Sequence, residues 1–153
     1  MQTMDAVPVP EEQSRTARVL GADAVAKLAQ AHVAVFGVGG VGGHLCEALA
    51  RSGVGALTVI DNDRVSLSNI NRQAVAFRST VGRLKVEVMR DMIRDINPDC
   101  RVTAVELFYS PETADSVDLS AFDYVADAVD SVPAKVQLAV RCHQLGVPLI
   151  SAM

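Results

Sequence analysis

The sequence predicts an α/β domain, a doubly wound and mainly parallel sheet with helices on both faces. Short β-branched runs alternate with segments of helical spacing, and glycines crowd the junction between the first such run and the next helix. Half of the 153 residues are apolar and 21% are charged, which suits one packed domain rather than a disordered chain. Strand and helix in strict alternation specify a parallel sheet, because right-handed crossovers carry each helix to an outer face.

The elements follow in order. Residues 1–13 are polar and proline-containing and read as a mobile start, with order beginning near Ser14. From Arg15 to Ala29, Val19, Leu20, Ala24 and Leu28 recur at helical spacing, and His32–Phe36 is a short strand ending at Gly37. A helix is expected over Val41–Arg51, a strand over Ala56–Ile60, a helix over Arg83–Ile96 and a strand over Arg101–Leu107. A short helix near Pro111, a strand over Tyr124–Ala126, a helix over Pro133–Leu145 and a strand over Pro148–Ser151 complete the pattern. The chain stops on Ser151-Ala152-Met153, directly after a predicted strand, so residues 14–153 are expected to be the N-terminal part of a longer protein.

Composition excludes several classes. A formal net charge of −4 provides no global positive field to draw the chain onto a polyanion. Cys46, Cys100 and Cys142 are far apart with no CxxC, which argues against a disulfide scaffold or a local zinc knuckle. No signal peptide or membrane span is read from the sequence, and a cytoplasmic location is expected.

Residues 37–43 read GVGGVGG between a predicted strand and a predicted helix, and Gly37, Gly39 and Gly42 fit the G-x-G-x-x-G of Rossmann-like folds. Without side chains, this loop (with Gly40 at its centre) lets backbone amides and the positive end of the following helix approach a phosphate. A purely structural turn rarely needs five glycines in seven residues. Asp61 closes the second strand 19 residues past Gly42, where a carboxylate can accept hydrogen bonds from ribose hydroxyls. Nicotinamide, flavin and adenosine triphosphate all carry that ribose, so the pattern names a nucleotide without choosing one.

Lys85 narrows the choice. Spacings of four and seven place it beside the apolar face of Met89, Met92, Ile93 and Ile96. A cation there opposes the helix dipole and is costly to bury unless an anion meets it; the expected anion is a phosphate. The plainer alternative is a lysine that snorkels to solvent. His32 and His44 are read as filling structural niches, and the cysteines as small core residues without an activating neighbour.

Three strings carry a resemblance: GVGGVG, EALARSGVGALTVIDNDRVSLSNINRQ, and VGRLKVEVM followed by INP. They resemble the ubiquitin-activating-enzyme-like adenylyltransferases, the group of the ThiF and MoeB proteins, from about Ser14 to the last residue. Within that group, SRTARVLG, AHVAVFG and DAVDSVPAK are most similar to the tRNA threonylcarbamoyladenosine dehydratases. Sulfur-carrier activators usually show aspartate-asparagine and then arginine where this chain has Asp130-Ser131 and Lys135.

The resemblance implies ATP and Mg2+ as cofactors and a homodimer in which Arg15 reaches the partner's site. Arg72, Lys85 and Arg15 would neutralise charge on the departing pyrophosphate. Asn69 and Gln73 would orient ribose and phosphates, while Asp63 is expected only to cap the loop. Asp130 matches the magnesium-binding aspartate, and an oxygen ligand suits that hard cation; read alone it is equally an N-cap before Pro133. Gly43 departs from the serine or cysteine usual in the family, which removes a side chain beside the phosphate loop.

The implied activity is carboxylate adenylation, with a threonylcarbamoyl group beside a tRNA anticodon as substrate, ring closure and AMP release. The tRNA is expected to need residues beyond Met153. The first alternative is activation of the C-terminus of a ubiquitin-like sulfur carrier; a truncated nucleotide-binding or interaction module without turnover is the second. An NAD-dependent oxidoreductase ranks last, since no hydride-transfer site is locatable.

Overall fold

The computed structural model describes residues 8–152. Five parallel strands, β1 (His32–Phe36), β2 (Ala56–Ile60), β3 (Arg101–Val105), β4 (Tyr124–Asp127) and β5 (Leu149–Ser151), form one sheet in the order β3-β2-β1-β4-β5. The helices are α1 (Ser14–Leu20), α2 (Ala22–Gln30), α3 (Gly42–Arg51), α4 (Lys85–Ile96) and α5 (Val132–Leu145). The chain runs outward from β1 through β2 to β3, then returns to the other side of β1 for β4 and β5. That reversal opens a crevice at the carboxyl ends of β1 and β4, the usual ligand position in such sheets.

Side chains alternate between two cores, as strand geometry requires. Val33 and Val35 of β1 join Leu57, Val59, Cys46, Ala50, Met89 and Ile93 under α3 and α4. Ala34 and Phe36 face the other way, onto Leu119, Ala134, Leu138 and Cys142 under α5. Central strands buried on both faces explain why their sequences read as apolar runs rather than as polar-apolar alternation.

Several boundaries differ from expectation. The single helix expected over Arg15–Ala29 is two, because Gly21 adopts φ +90° and ψ 157°, which no helix accommodates. Ordered structure includes a 3-10 turn at Glu11–Gln13 ahead of Ser14, with Gln13 buried and its amide donating to the Arg51 carbonyl at 3.0 Å. Residues 1–7 of the segment read as mobile lie outside the described residues. β3 ends at Val105 rather than Leu107, and the turn at Pro111 leads into a 3-10 helix only at Ala114–Ser116. Among the described residues no helix is long and apolar enough to cross a membrane.

Two neighbouring glycines have opposite requirements. A Cβ on Gly42 would collide with the Gly37 carbonyl oxygen, whereas one on Gly43 would make ordinary contacts with Ala74 at 3.5 Å and Met89 at 3.7 Å. A side chain at position 43 therefore faces Ala74 and α4, which corrects the expectation that Gly43 empties a place beside the loop. Urea unfolding should show Gly42→Ala destabilised by about 2 kcal/mol through overpacking. Gly43→Ala should gain about 0.5 kcal/mol, because alanine loses less backbone entropy in a helix.

Candidate nucleotide-binding site

Three loops converge at the carboxyl edge of the sheet. The glycine loop leaves β1 when the Gly37 amide donates to the Ile60 carbonyl at 2.8 Å. Gly37 sits at φ +87°, and a Cβ there would lie 2.7 Å from the Ala128 carbonyl oxygen, so the loops after β1 and β4 touch through backbone alone. α3 begins at Gly42 without a side-chain cap. The amides of Gly39, Gly40, Val41 and Gly42 meet no protein acceptor among the described residues. Four free donors at the positive end of a ten-residue helix are suited to an anion.

Asp61 ties the loop after β2 to the glycine loop. Its Oδ2 accepts the Val38 amide at 2.7 Å, and its Oδ1 accepts the Asp63 amide at 2.7 Å. Each oxygen keeps a further lone pair for a ligand hydroxyl. Facing the glycine loop across the crevice is the turn from Ser66 to Gln73. Asn69 is buried and its Oδ1 accepts the Ser66 amide at 3.0 Å, while its carbonyl receives the amides of Arg72 and Gln73. The side chain expected to orient a ligand thus also shapes the turn that carries the next two candidates. Arg72 lies alongside Gly40 and donates to the Ser68 carbonyl and to Asn71, each at 3.0 Å. Gln73 packs beside Gly39, and its buried Oε1 has no partner among the described residues. Such an orphaned amide oxygen is costly to bury, and the nitrogen of the same amide is the group turned toward Gly39.

Lys85 is the first residue of α4 and is buried, but its anion is internal. The ammonium donates to Asp63 Oδ2 at 2.8 Å, with side-chain exposures of 6% for the lysine and 61% for the aspartate. The burial expected for Lys85 is found and the snorkelling alternative falls away, while one expectation is corrected: Asp63 is an ion-pair partner rather than only a loop cap. Asp130 is exposed in the loop beyond β4. The N-cap of α5 is Ser131, so the capping alternative for Asp130 falls away. Arg15 lies exposed on α1 and makes no ion pair or side-chain hydrogen bond with another described residue. Among the described residues no three His, Cys, Asp or Glu side chains cluster as a self-sufficient metal cage. A divalent Mg2+ ordinarily takes one or two carboxylates together with ligand phosphates, so a full cage of side chains is not a requirement for it.

Comparison with known proteins agrees with this geometry. The model of the ThiF family matches residues 12–153. The chain belongs to the ThiF family. It is 46% identical over 136 residues to the tRNA threonylcarbamoyladenosine dehydratase of Escherichia coli, covering 89% of this chain and 51% of that protein. The enzyme of the same name in Bacillus subtilis is 45% identical over 92% of this chain and 55% of its own length. The molybdopterin-synthase adenylyltransferase of Salmonella typhimurium is 40% identical over 81% of this chain and 49% of its own. A crystal structure of the E. coli dehydratase in complex with ATP superposes with a TM-score of 0.86 at 45% identity, covering 92% of this chain and 58% of that one. The chain therefore spans about half the length of the curated relatives it matches.

One segment of this chain, DAVDSVPAK, carries more structure than its sequence shows. Asp127, at the end of β4, has a fully buried carboxylate that accepts from Lys135 at 3.1 Å, from Ser151 Oγ at 2.6 Å and from the Val129 amide at 3.1 Å. Lys135 also donates to the carbonyl of Ala152 at 2.6 Å. This network holds the loop bearing Asp130 and the end of β5, yet the pair had been visible only as a marker string. A buried acid eight residues before a buried lysine, spanning strand end and helix, was the available signal. The histidines do have partners: His32 Nε2 lies 2.9 Å from Thr58 Oγ1 and His44 Nε2 lies 3.2 Å from the Arg72 carbonyl. Burial pushes the Cys46 thiol up to about 12 and raises those of Cys100 and Cys142, which agrees with cysteines as core residues. A groove of about 670 Å³ lies elsewhere, lined by apolar residues including Leu28, Leu45, Leu49 and Ile150, and offers a polyanion nothing.

Lys135→Met should destabilise the fold by about 3 kcal/mol in urea unfolding, because it strands a buried carboxylate. A thiol reagent at pH 8 should leave Cys46 unmodified in the native state and label it fully in urea, as quantified by mass spectrometry.

Proposed function

We propose that this chain is the ATP-binding part of an enzyme that activates a carboxylate by adenylation. The complete protein is proposed to act as a tRNA threonylcarbamoyladenosine dehydratase in the cytoplasm. The observation that supports the nucleotide reading best is the pairing of free glycine-loop amides with an orphaned Gln73 amide in one crevice. The similarity to dehydratases, one of them solved with ATP, supports adenosine triphosphate over a dinucleotide.

In this reading Asp61 accepts from ribose hydroxyls, and the amides of Gly39, Gly40, Val41 and Gly42 cradle phosphate oxygens. Asn69 and Gln73 orient the nucleotide. A carboxylate oxygen of the substrate attacks the α-phosphorus and pyrophosphate leaves. Arg72 and Lys85, with Arg15 of a second copy in a homodimer, offset charge as it develops on pyrophosphate. Catalysis rests on positioning and charge stabilisation, with no side chain assigned as general base. Asp130 would hold Mg2+, which screens the phosphates when bound. Ring closure then expels AMP, and the oxygen lost from the threonyl carboxylate leaves with it. Net, one water is removed from the substrate and consumed in splitting ATP to AMP and pyrophosphate.

A second reading, adenylation of a ubiquitin-like sulfur carrier, is favoured by the similarity to molybdopterin-synthase adenylyltransferases. Lys135, where those activators resemble one another in having arginine, weighs against it.

Calorimetric titration of the chain with magnesium-ATP and with NAD should show binding of ATP alone. Lys85→Ala should weaken it about tenfold or more, the worth of one hydrogen bond to a charged group. Binding of NAD alone would reject the reading. In sedimentation the chain should run as a dimer, and Arg15→Ala should weaken ATP about tenfold without changing the sedimentation coefficient.

A further inference from the structure

We infer that Asp63 is a stand-in for phosphate: it holds the Lys85 ammonium before ligand arrives and gives it up to the incoming anion. Asp63 is thus a positioning residue that acts through Lys85, and the inference builds on the reading of the crevice as a phosphate site.

The asymmetry of the pair carries the argument. Lys85 is 6% exposed and fixed at both ends, its backbone amide donating to the Asp63 carbonyl at 3.0 Å and its ammonium to Asp63 Oδ2 at 2.8 Å. The Asp63 carboxylate is 61% exposed and has no other side-chain partner among the described residues. A buried ammonium cannot lose its counter-ion without a new one, whereas an exposed carboxylate returns to water at little cost. The pair is therefore built to exchange at the carboxylate and not at the lysine. α4 begins at Lys85 with no side-chain cap, and the Asp63 carbonyl takes up its first amide. The Asp63 backbone amide is held by Asp61, the candidate ribose residue, at 2.7 Å. That anchor keeps the Asp63 main chain in place while its side chain swings out. Electrostatics forbid the carboxylate to stay: a phosphate within reach of Lys85 would place like charges a few ångströms apart.

The contrast with the other buried lysine sharpens the point. Lys135 meets a carboxylate that is fully buried and shared with Ser151 and Val129, and such an acid has no water to return to.

Asp63→Asn removes the competing charge while keeping shape. Two quantities should then move in opposite directions. The free protein should melt at a lower temperature, since Lys85 loses its ion-pair partner. Anion affinity should rise, by about twofold to fivefold at low ionic strength, the range expected for a half-exposed ion pair. A merely structural Asp63 would lower both.

The full chain and its Asp63→Asn and Asp63→Ser variants would be titrated with inorganic tripolyphosphate and, separately, with ATP. Tighter tripolyphosphate binding by either variant supports the exchange. If that occurs while ATP fails to bind any form, the exchange stands and the nucleotide reading falls. If ATP binds but neither variant binds either ligand more tightly, the exchange is overturned and the nucleotide reading stands. No binding of tripolyphosphate to the unaltered chain or to either variant overturns the exchange outright. Should both variants fail to fold, the carboxyl carbon resonance of Asp63 in the unaltered chain decides: it should shift to that of a solvated carboxylate on saturation with tripolyphosphate, and an unmoved resonance refutes the swap.

Discussion

The backbone contact between the loops that follow β1 and β4 is the constraint on which the crevice depends. Gly37 approaches the Ala128 carbonyl more closely than any Cβ permits, and Gly42 sits against Gly37 itself. That packing sets the start of α3 and leaves its first amides pointing at open space rather than at a side-chain cap. It also brings the Asp130 loop within reach of the same space. Asp61 completes the frame by accepting the Val38 amide from the next strand over. Three strand ends are thereby joined, β1 to β4 by backbone contact at Gly37 and β1 to β2 by the Asp61 carboxylate and the bond from the Gly37 amide to the Ile60 carbonyl.

Charge is organised around this frame by two ion pairs with different burdens. Both use a lysine that opens or follows a helix start and both are close, at 2.8 and 3.1 Å. Their carboxylates differ: Asp63 is mostly solvated, whereas Asp127 is sealed between β5 and α5. The dielectric around the acid, more than the distance, decides whether such a pair can exchange partners or only hold structure. The chain uses the exchangeable pair at the crevice and the sealed pair behind the loop that lines it. Arginine is exposed at positions 64 and 78 of the crossover between β2 and α4, whereas Arg72 of the same crossover lies alongside Gly40.

How much of this was legible depended on whether the signal was local. Strand β1 and strand β2 were readable to the residue because each is a β-branched run bounded by glycine or a polar turn. The glycine pattern placed the loop because its physics, close approach of backbone, needs only the absence of side chains. The break at Gly21 was not legible, since one glycine within a helical pattern is often tolerated and only its φ of +90° ends the helix. Lys85 was recognised as buried from its spacing, but its partner stands 22 residues away and was mistaken for a cap.

The amino-acid sequence by itself determined the α/β class, the order and type of nearly every element, and the position of the glycine loop, because periodicity and glycine spacing act over a few residues. Tertiary structure alone decided which charges meet. Asp63 meets Lys85 beside the antiparallel bridge of Arg64 with Leu84, and Asp127 meets Ser151 through the register of β4 with β5, where Lys135 joins them from α5. Spacing alone does not say which charges pair, because a parallel sheet brings distant residues together only across a crossover, and the dielectric each charge feels is set by what finally packs around it.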